Sequence, residues 1–337
     1  MYWYENQTGE NTIVLSTRVR FARNLEQYPF PSRLDEEGRL KVWDQVRQAY
    51  EGRDAMAVSF GDVDEIVKHA YVETHLASRA LAAKGKGSGL ILSRDGEVSV
   101  MVGEEDHIRL QVIVPGKGVK RAFEKAVEWM GYAEARLPLA FREKWGYLTS
   151  CPTNLGAAMR LSVMIHLPAI TRGGVMNTLT RNLNDAGFTV RGLFGEGTRE
   201  GGEIYQISNQ TSREKSPVEI AEAFEKMLEQ VEALEKKARD TLLSQNPLEM
   251  EDQVFRALGT LKNARKMSYG EFISLYSRVR LGREAQMAGT EHTAVLDRLF
   301  VELMPAPMIL RDASLSGEAA RDEERSRILR EKLNQTE

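Results

Sequence analysis

The residues best suited to chemistry in this chain are arginines placed where cations are costly. Arg160 and Arg191 sit in MRLSVMIHLP and FTVRGLF, runs that otherwise read as β-strands. A cation buried in a sheet is expensive unless an anion meets it. Arg18 and Arg20 lie two apart in IVLSTRVRFARN, so an extended strand projects both from one face. There they repel each other unless a polyanion lies between them; the plain alternative is an exposed strand edge with solvated guanidiniums. A second charge cluster, Gly103-Glu104-Glu105-Asp106-His107-Ile108-Arg109, is either a solvated turn or a carboxylate site beside a phosphate-binding arginine. Glycines surround one carboxylate, Glu196, in RGLFGEG, the pattern of a loop that delivers a single charged group. The lone cysteine, Cys151, stands on the turn CPTNLG. This set points to phosphate chemistry on a cationic acceptor.

The elements that must position these groups can be read in order. Tyr2-Trp3-Tyr4 is an aromatic segment suited to packing, and Ile13 to Asn24 is β-rich. Asp35 to Tyr50 carries a helical apolar stripe, and Ala55 to Phe60 reads as a short strand. The run from Gly87 to Pro115 is an antiparallel signature, with Asp95-Gly96 as its hairpin turn. Gly118 to Lys144 is helical; another helix is expected from about Gly174 to Ala186, and EIYQISNQ is a further strand. Ser216, Pro217 and Glu219 form a helix start with N-cap, N1 proline and capping box. That helix runs to about Leu243, and Pro247 marks a boundary between residues 1–245 and 246–337. The second part is helical throughout, with a proline-rich break at Met304–Met308 and a charged amphipathic tail, RDEERSRILREKL. The fold class is therefore α+β, an antiparallel sheet flanked by helices, followed by an all-helical domain. His69 and His75 lack metal-ligand spacing, so no protein metal site is expected.

Composition sets the outer bounds. At 337 residues the chain exceeds the usual single core, and its 42% hydrophobic and 28% charged content suit a globular protein. A net charge of −3 gives no reason to expect nucleic-acid or membrane binding. One cysteine excludes an internal disulfide framework and a cysteine-based zinc site. The N-terminus has no secretory signal pattern and no run is long enough to span a membrane, so a cytoplasmic location is expected.

STRVRFARN, GEEDHIR, CPTNLG, RLSVMIHLP and RGLFGEG, in this order and at these separations, resemble the catalytic domain of the phosphagen (guanidino) kinases. Small-guanidine kinases carry a helical domain ahead of the first motif; here that motif begins at Leu15 and an extra helical domain follows instead. The combination is similar to the bacterial protein arginine kinases, which phosphorylate arginine side chains of proteins. The resemblance implies that Ser16, Arg18, Arg20, Arg109, Arg160 and Arg191 bind ATP, with magnesium carried on the nucleotide phosphates and His75 stacking on the adenine. It implies Glu105 as the principal carboxylate, with Glu104 beside it, Glu196 holding the acceptor guanidinium from the other side, and Cys151 as its electrostatic partner. Full proton transfer from a guanidinium to a glutamate before phosphorylation would cost roughly 11 kcal/mol, so the carboxylates orient and take the proton as the N–P bond forms.

The same resemblance implies a site for phosphoarginine at Arg321, Asp322 and Arg325, whereas helix periodicity alone reads these charges as a solvated surface. It further implies a zinc-binding activator protein, a heat-shock repressor substrate and a Clp-type unfoldase as partners, a role in stress-linked degradation, and the helical domain as a place for a dimer contact. Departures from the family pattern are Gly103 for asparagine, Ala157 for threonine, Leu161 for alanine and Ser326 for alanine. A free-arginine kinase would use the same site, and a non-catalytic phosphoarginine adaptor would need the arginines but not the carboxylates.

Overall fold

The computed structural model describes residues 2–6, 13–192, 202–213 and 215–335. In chain order the strands are β1 (Val14–Arg23), β2 (Ala55–Ser59), β3 (Gly89–Ser93), β4 (Val98–Val102), β5 (Ile108–Pro115), β6 (Phe141–Arg142), β7 (Gly146–Tyr147), β8 (Met159–His166), β9 (Phe188–Gly192) and β10 (Ile204–Asn209). The first helices are α1 (Glu36–Ala49), α2 (Glu65–Glu73), α3 (Arg79–Ala82), α4 (Val119–Arg136), α5 (Pro168–Arg172) and α6 (Met176–Asp185). They are followed by α7 (Pro217–Gln245), α8 (Pro247–Asn263), α9 (Tyr269–Glu284), α10 (Val295–Glu302), α11 (Pro305–Arg311) and α12 (Glu318–Asn334).

Eight strands form one sheet in the order β2-β3-β4-β5-β1-β8-β10-β9, and β6 and β7 form a separate hairpin. The large sheet flanked by helices and the helical C-terminal region match the expected α+β class. Gly96, at φ 71°, makes the expected turn between β3 and β4, its N–H donating to Ser93 O at 2.9 Å. The central strands β3, β4 and β5 are buried along nearly their whole length, as their Val, Ile and Leu content requires. The capping box is also present: Ser216 N–H donates to the Glu219 carboxylate at 2.7 Å, and Glu219 N–H to the Ser216 hydroxyl at 3.2 Å. One expected helix is shorter than its pattern suggested. The Gly118–Lys144 helix stops at Arg136 and gives way to the β6–β7 hairpin, whereas the helix expected from about Gly174 to Ala186 is present as α6.

The chain divides into two compact units. One comprises Met1–Asn6, Ser16–Ser162 and Ser208–Glu225; the other Gln7–Leu15, Val163–Ile207 and Lys226–Glu337. Residue 246, where the sequence pattern suggests a boundary, lies between α7 and α8, and the second unit runs through it from Lys226 to Glu337. Within the second unit, buried polar contacts tie α9 to the end of β8: His166 Nε2 lies 2.8 Å from the Ser277 hydroxyl and its Nδ1 3.2 Å from Glu284.

Candidate active site

The strand register explains how separate motifs reach one surface. On the β1–β5 pair, Ala22 faces Arg109 and Arg20 faces Gln111. Paired residues in an antiparallel ladder share a face, and alternate residues along a strand return to it. Ser16, Arg18 and Arg20 of β1 therefore share one face with Arg109 of β5. On β8, Arg160 lies two residues from Ser162, whose hydroxyl accepts a 3.3 Å bond from Arg18 Nε. Arg160 in turn donates to the Ser208 hydroxyl of β10 at 2.9 Å.

The electrostatics of this face are one-sided. Burial, together with the neighbouring Arg109 and Arg160 charges, pulls the Arg18 guanidinium down to about 10 from its usual value. Arg20 is lowered further by burial and then by Arg18, Arg109 and Arg160, with Glu104 opposing. The buried Nε of Arg20 has no hydrogen-bond partner among the described residues. Neither Arg18 nor Arg20 meets a carboxylate there; Arg109 does, at 2.5 Å from Glu104. A buried donor left open beside mutually repelling cations is a site shaped for a polyanion.

His75 borders the same face. Its φ of 63° is unusual for a residue with a side chain, and its carbonyl accepts from the Gln111 amide at 2.6 Å. Burial and then the Arg18 charge push its imidazole down to about 4, so the ring is neutral at physiological pH. The Trp3 indole donates to Thr74 O at 2.8 Å, and its ring centroid lies 6.4 Å from that of His75.

The acidic loop between β4 and β5 separates its carboxylates by role. Glu104 is 5% exposed; burial would raise its pKa, but Arg109, the Ser78 hydroxyl and the Glu105 amide bring it below the ordinary value. Glu105 is exposed, and partial desolvation, then Asp106 and Glu104, raise it. Asp106 is buried and fixes the loop: its Oδ1 accepts from Asn24 Nδ2 at 2.6 Å and from Ser150 N–H at 2.7 Å. His107 finishes the attachment. Leu25 N–H donates to its Nδ1 at 3.0 Å, which leaves the proton on Nε2, 3.0 Å from Pro29 O. Burial holds this histidine down at about 4. Gly103, which opens the loop, has φ 78°. Asparagine and glycine are the residues that best tolerate that region, which accounts for their exchange at this position.

The turn that carries Cys151 is held to this acidic loop. Ser150 donates its hydroxyl to Glu105 O at 2.7 Å, and the half-exposed Cys151 thiol lies 3.0 Å from the Thr153 hydroxyl. Asn24, Asp106, His107 and Ser150 thus lock Glu105 and Cys151 to one framework, a function that sequence reading did not assign to them. Arg191 is an exposed residue of β9 in the other compact unit, and Glu196 lies outside the described residues.

The tail residues differ from the expectation of a solvated surface. Asp322 and Arg325 are 7% and 1% exposed. Arg325 donates to Asp322 at 2.7 Å, to Met267 O at 2.7 Å and to Leu303 O at 3.1 Å, so its fork is engaged inside the protein. Arg321 donates to Leu315 O and Ser316 O at 3.0 and 2.6 Å. Ser326 reaches Arg265 O at 2.6 Å, a bond its alanine counterpart could not make.

No helix among the described residues is long and apolar enough to cross a membrane. Residues 41–238 match the ATP:guanido phosphotransferase C-terminal catalytic domain, and residues 247–337 match the protein-arginine kinase McsB C-terminal domain. A protein-arginine kinase of Halothermothrix orenii is 36% identical across 99% of this chain and 96% of its own length; one from Clostridium novyi is 34% identical across 98% of each. Among solved structures, a duplicated taurocyamine kinase from Schistosoma mansoni aligns with a TM-score of 0.58 at 25% identity, covering 65% of this chain and 33% of that one. Lombricine kinase shares the fold at a TM-score of 0.58 and 19% identity, over 69% of this chain and 71% of that one. With its relatives matched from end to end, this chain belongs to the protein-arginine kinase family of ATP:guanido phosphotransferases.

Proposed function

We propose that this protein transfers the γ-phosphoryl group of ATP to arginine side chains of proteins. The observation that carries this reading is the pair of half-buried arginines, Arg18 and Arg20, that no carboxylate meets among the described residues, beside the Arg109–Glu104 pair. Phosphoryl transfer needs charge neutralised and reactants held in line, and such a face supplies both.

In this scheme Arg18, Arg20, Arg109 and Arg160 hold the phosphates, with Arg191 and the Ser16 hydroxyl added from the sequence motif. The neutral ring of His75 suits stacking on a base. Glu104 is engaged by Arg109, which leaves Glu105 to face the acceptor. As the N–P bond forms and the bond from phosphorus to the bridging oxygen breaks, the attacking nitrogen loses its proton to Glu105. The raised pKa of Glu105 makes it a better proton acceptor than an ordinary carboxylate. Cys151 and Glu196 complete the acceptor side. No group of three metal-ligating side chains occurs among the described residues. An arginine-lined face fits a nucleotide that carries magnesium on its own phosphates.

The proposal extends to cytoplasmic substrates marked for degradation, and to a zinc-binding activator protein, a heat-shock repressor and a Clp-type unfoldase as partners. It also extends to phosphoarginine as a ligand of the Arg321–Asp322–Arg325 region, where Asp322 and Arg325 must first be released from each other.

Incubation with Mg-ATP and an unfolded protein, followed by mass spectrometry at neutral pH, should show phosphoarginine, whereas free arginine should be a poor acceptor. Glu105→Gln should lower turnover by about a thousandfold while ATP affinity stays within about twofold. Lost nucleotide affinity in that variant would assign Glu105 to the architecture instead.

A further inference from the structure

Next to the acceptor turn stands a small hairpin that the transfer chemistry does not use. β6 and β7 pair Phe141 with Tyr147 and Arg142 with Gly146. The base of the hairpin is clamped. Tyr147 packs its ring 3.4 Å from the buried Arg23 guanidinium and donates its hydroxyl to Glu134 at 2.9 Å; Arg23 holds the same carboxylate at 3.0 Å. Gly146, at φ 70°, touches Gly156 backbone to backbone: a Cβ there would lie 2.5 Å from Gly156 O. Tyr147 N–H also donates to that carbonyl at 3.0 Å. Gly156 closes the CPTNLG turn, so hairpin and acceptor turn form one piece. The Asn24 amide that holds Asp106 also donates to Leu148 O at 3.0 Å.

On this fixed base, apolar side chains face water. Phe141 is 48% and Trp145 42% exposed, whereas Trp3, Trp43 and Trp129 are all below 9%. The Lys144 ammonium and the Arg213 guanidinium lie 5.2 and 5.4 Å from the centre of the Trp145 ring. Single exposed apolar residues are ordinary, but two aromatics on a rigid support beside a reaction site resemble the anchors of a binding surface. Trp145 is six residues from Cys151, so the two are at most about 20 Å apart, the reach of about six extended residues.

We propose that the β6–β7 hairpin docks the polypeptide that flanks the target arginine. An apolar side chain of the substrate packs on Phe141 and Trp145, and a neighbouring carboxylate pairs with Lys144 and Arg213. The inference rests on the reading of the Glu105–Cys151 region as the acceptor site.

The test compares acceptors. One is N-acetyl-arginine amide; the other is a ten-residue peptide with a leucine and an aspartate within six positions of its arginine. Phe141→Ser/Trp145→Ser should raise KM for the peptide by about tenfold and leave the small acceptor within about twofold. Equal losses on both acceptors, or none, would overturn the proposal. Lys144→Glu should reverse the preference from an acidic to a basic flank, a switch that damage to folding cannot produce. A peptide with citrulline in place of arginine should still shift the Trp145 fluorescence, and Trp145→Phe should abolish the shift. If the citrulline peptide binds while Glu105→Gln retains full turnover, the acceptor-site reading fails and the hairpin stands. A change in sedimentation of the double variant without any change in peptide KM would make this a contact between copies of the chain, against the proposal.

Discussion

Two sets of arginines in this protein are built in opposite ways. In the first compact unit, burial and like charges depress Arg18 and Arg20. In the second, burial alone would depress Arg280, but Asp297, Tyr276 and Glu284 raise it well above the ordinary value. Its Nε lies 2.8 Å from Glu284 and its Nη1 2.6 Å from Asp297, while Arg283 reaches Asp297 at 2.5 Å. Residue type is shared by the two sets, so it does not distinguish them. The distinction is the counter-charge: arginines matched within the fold serve as scaffold, and the unmatched ones are those the proposed function assigns to an anion from outside.

The sharpest way to break this contrast is to remove one arginine from each set. Arg280→Met strands Asp297 and Glu284 in the interior and should cost about 3–5 kcal/mol in urea unfolding. Arg20→Met removes a repelling cation, so it should cost less than about 0.5 kcal/mol while weakening ATP binding by tenfold or more, about 1.4 kcal/mol or above. Equal stability losses would erase the distinction.

A second test uses acid. His75 and His107 have folded pKa values of about 4 against an ordinary 6.5. A depressed histidine pKa means that the unfolded chain takes up protons first, so the stability each contributes is complete above 6.5 and is lost as the pH falls towards 4. The loss should amount to up to about 3 kcal/mol for each residue. His107→Asn, which has no proton to gain in that window, should flatten its share of the decline, and chemical denaturation at stepped pH would measure it. A smaller loss than the histidines' is expected from the tail: Asp322→Asn keeps an acceptor for Arg325 but removes its charge, and should cost about 1–2 kcal/mol in unfolding. If stability is unchanged while a response to phosphoarginine disappears, Asp322 is a ligand and not a strut.

Much of the local structure around the candidate site was legible because local rules determine it. The alternation of Arg18 and Arg20 needs only a strand, the Asp95-Gly96 turn only its dipeptide, and the Ser216–Glu219 box only four residues. The roles that escaped depend on partners far apart in the chain. Asp106 and His107 looked like part of a catalytic cluster, yet they hold the loop through Asn24 and Leu25, some eighty residues earlier. Periodicity likewise reads Arg325 as a surface cation, since nothing within RDEERSRILREKL announces the Met267 and Leu303 carbonyls that receive it. The difference between Glu104 and Glu105 is another such case: adjacent identical residues are told apart by burial and by which one Arg109 reaches.

The unmatched guanidiniums also mean that the molecule's bulk charge is a poor guide to its behaviour in solution. With a net charge of −3 and an isoelectric point near 6.1, it should migrate and elute as a mildly acidic protein. A small dianion meets something else: a cationic sheet face with an open donor on Arg20. Under the proposed function, sulfate, inorganic phosphate and pyrophosphate in a buffer are therefore competitors for the nucleotide and not inert background. Apparent ATP affinities from phosphate-buffered and chloride-buffered samples will differ for that reason alone, and the cell's own phosphate pool sets a floor that the nucleotide has to exceed.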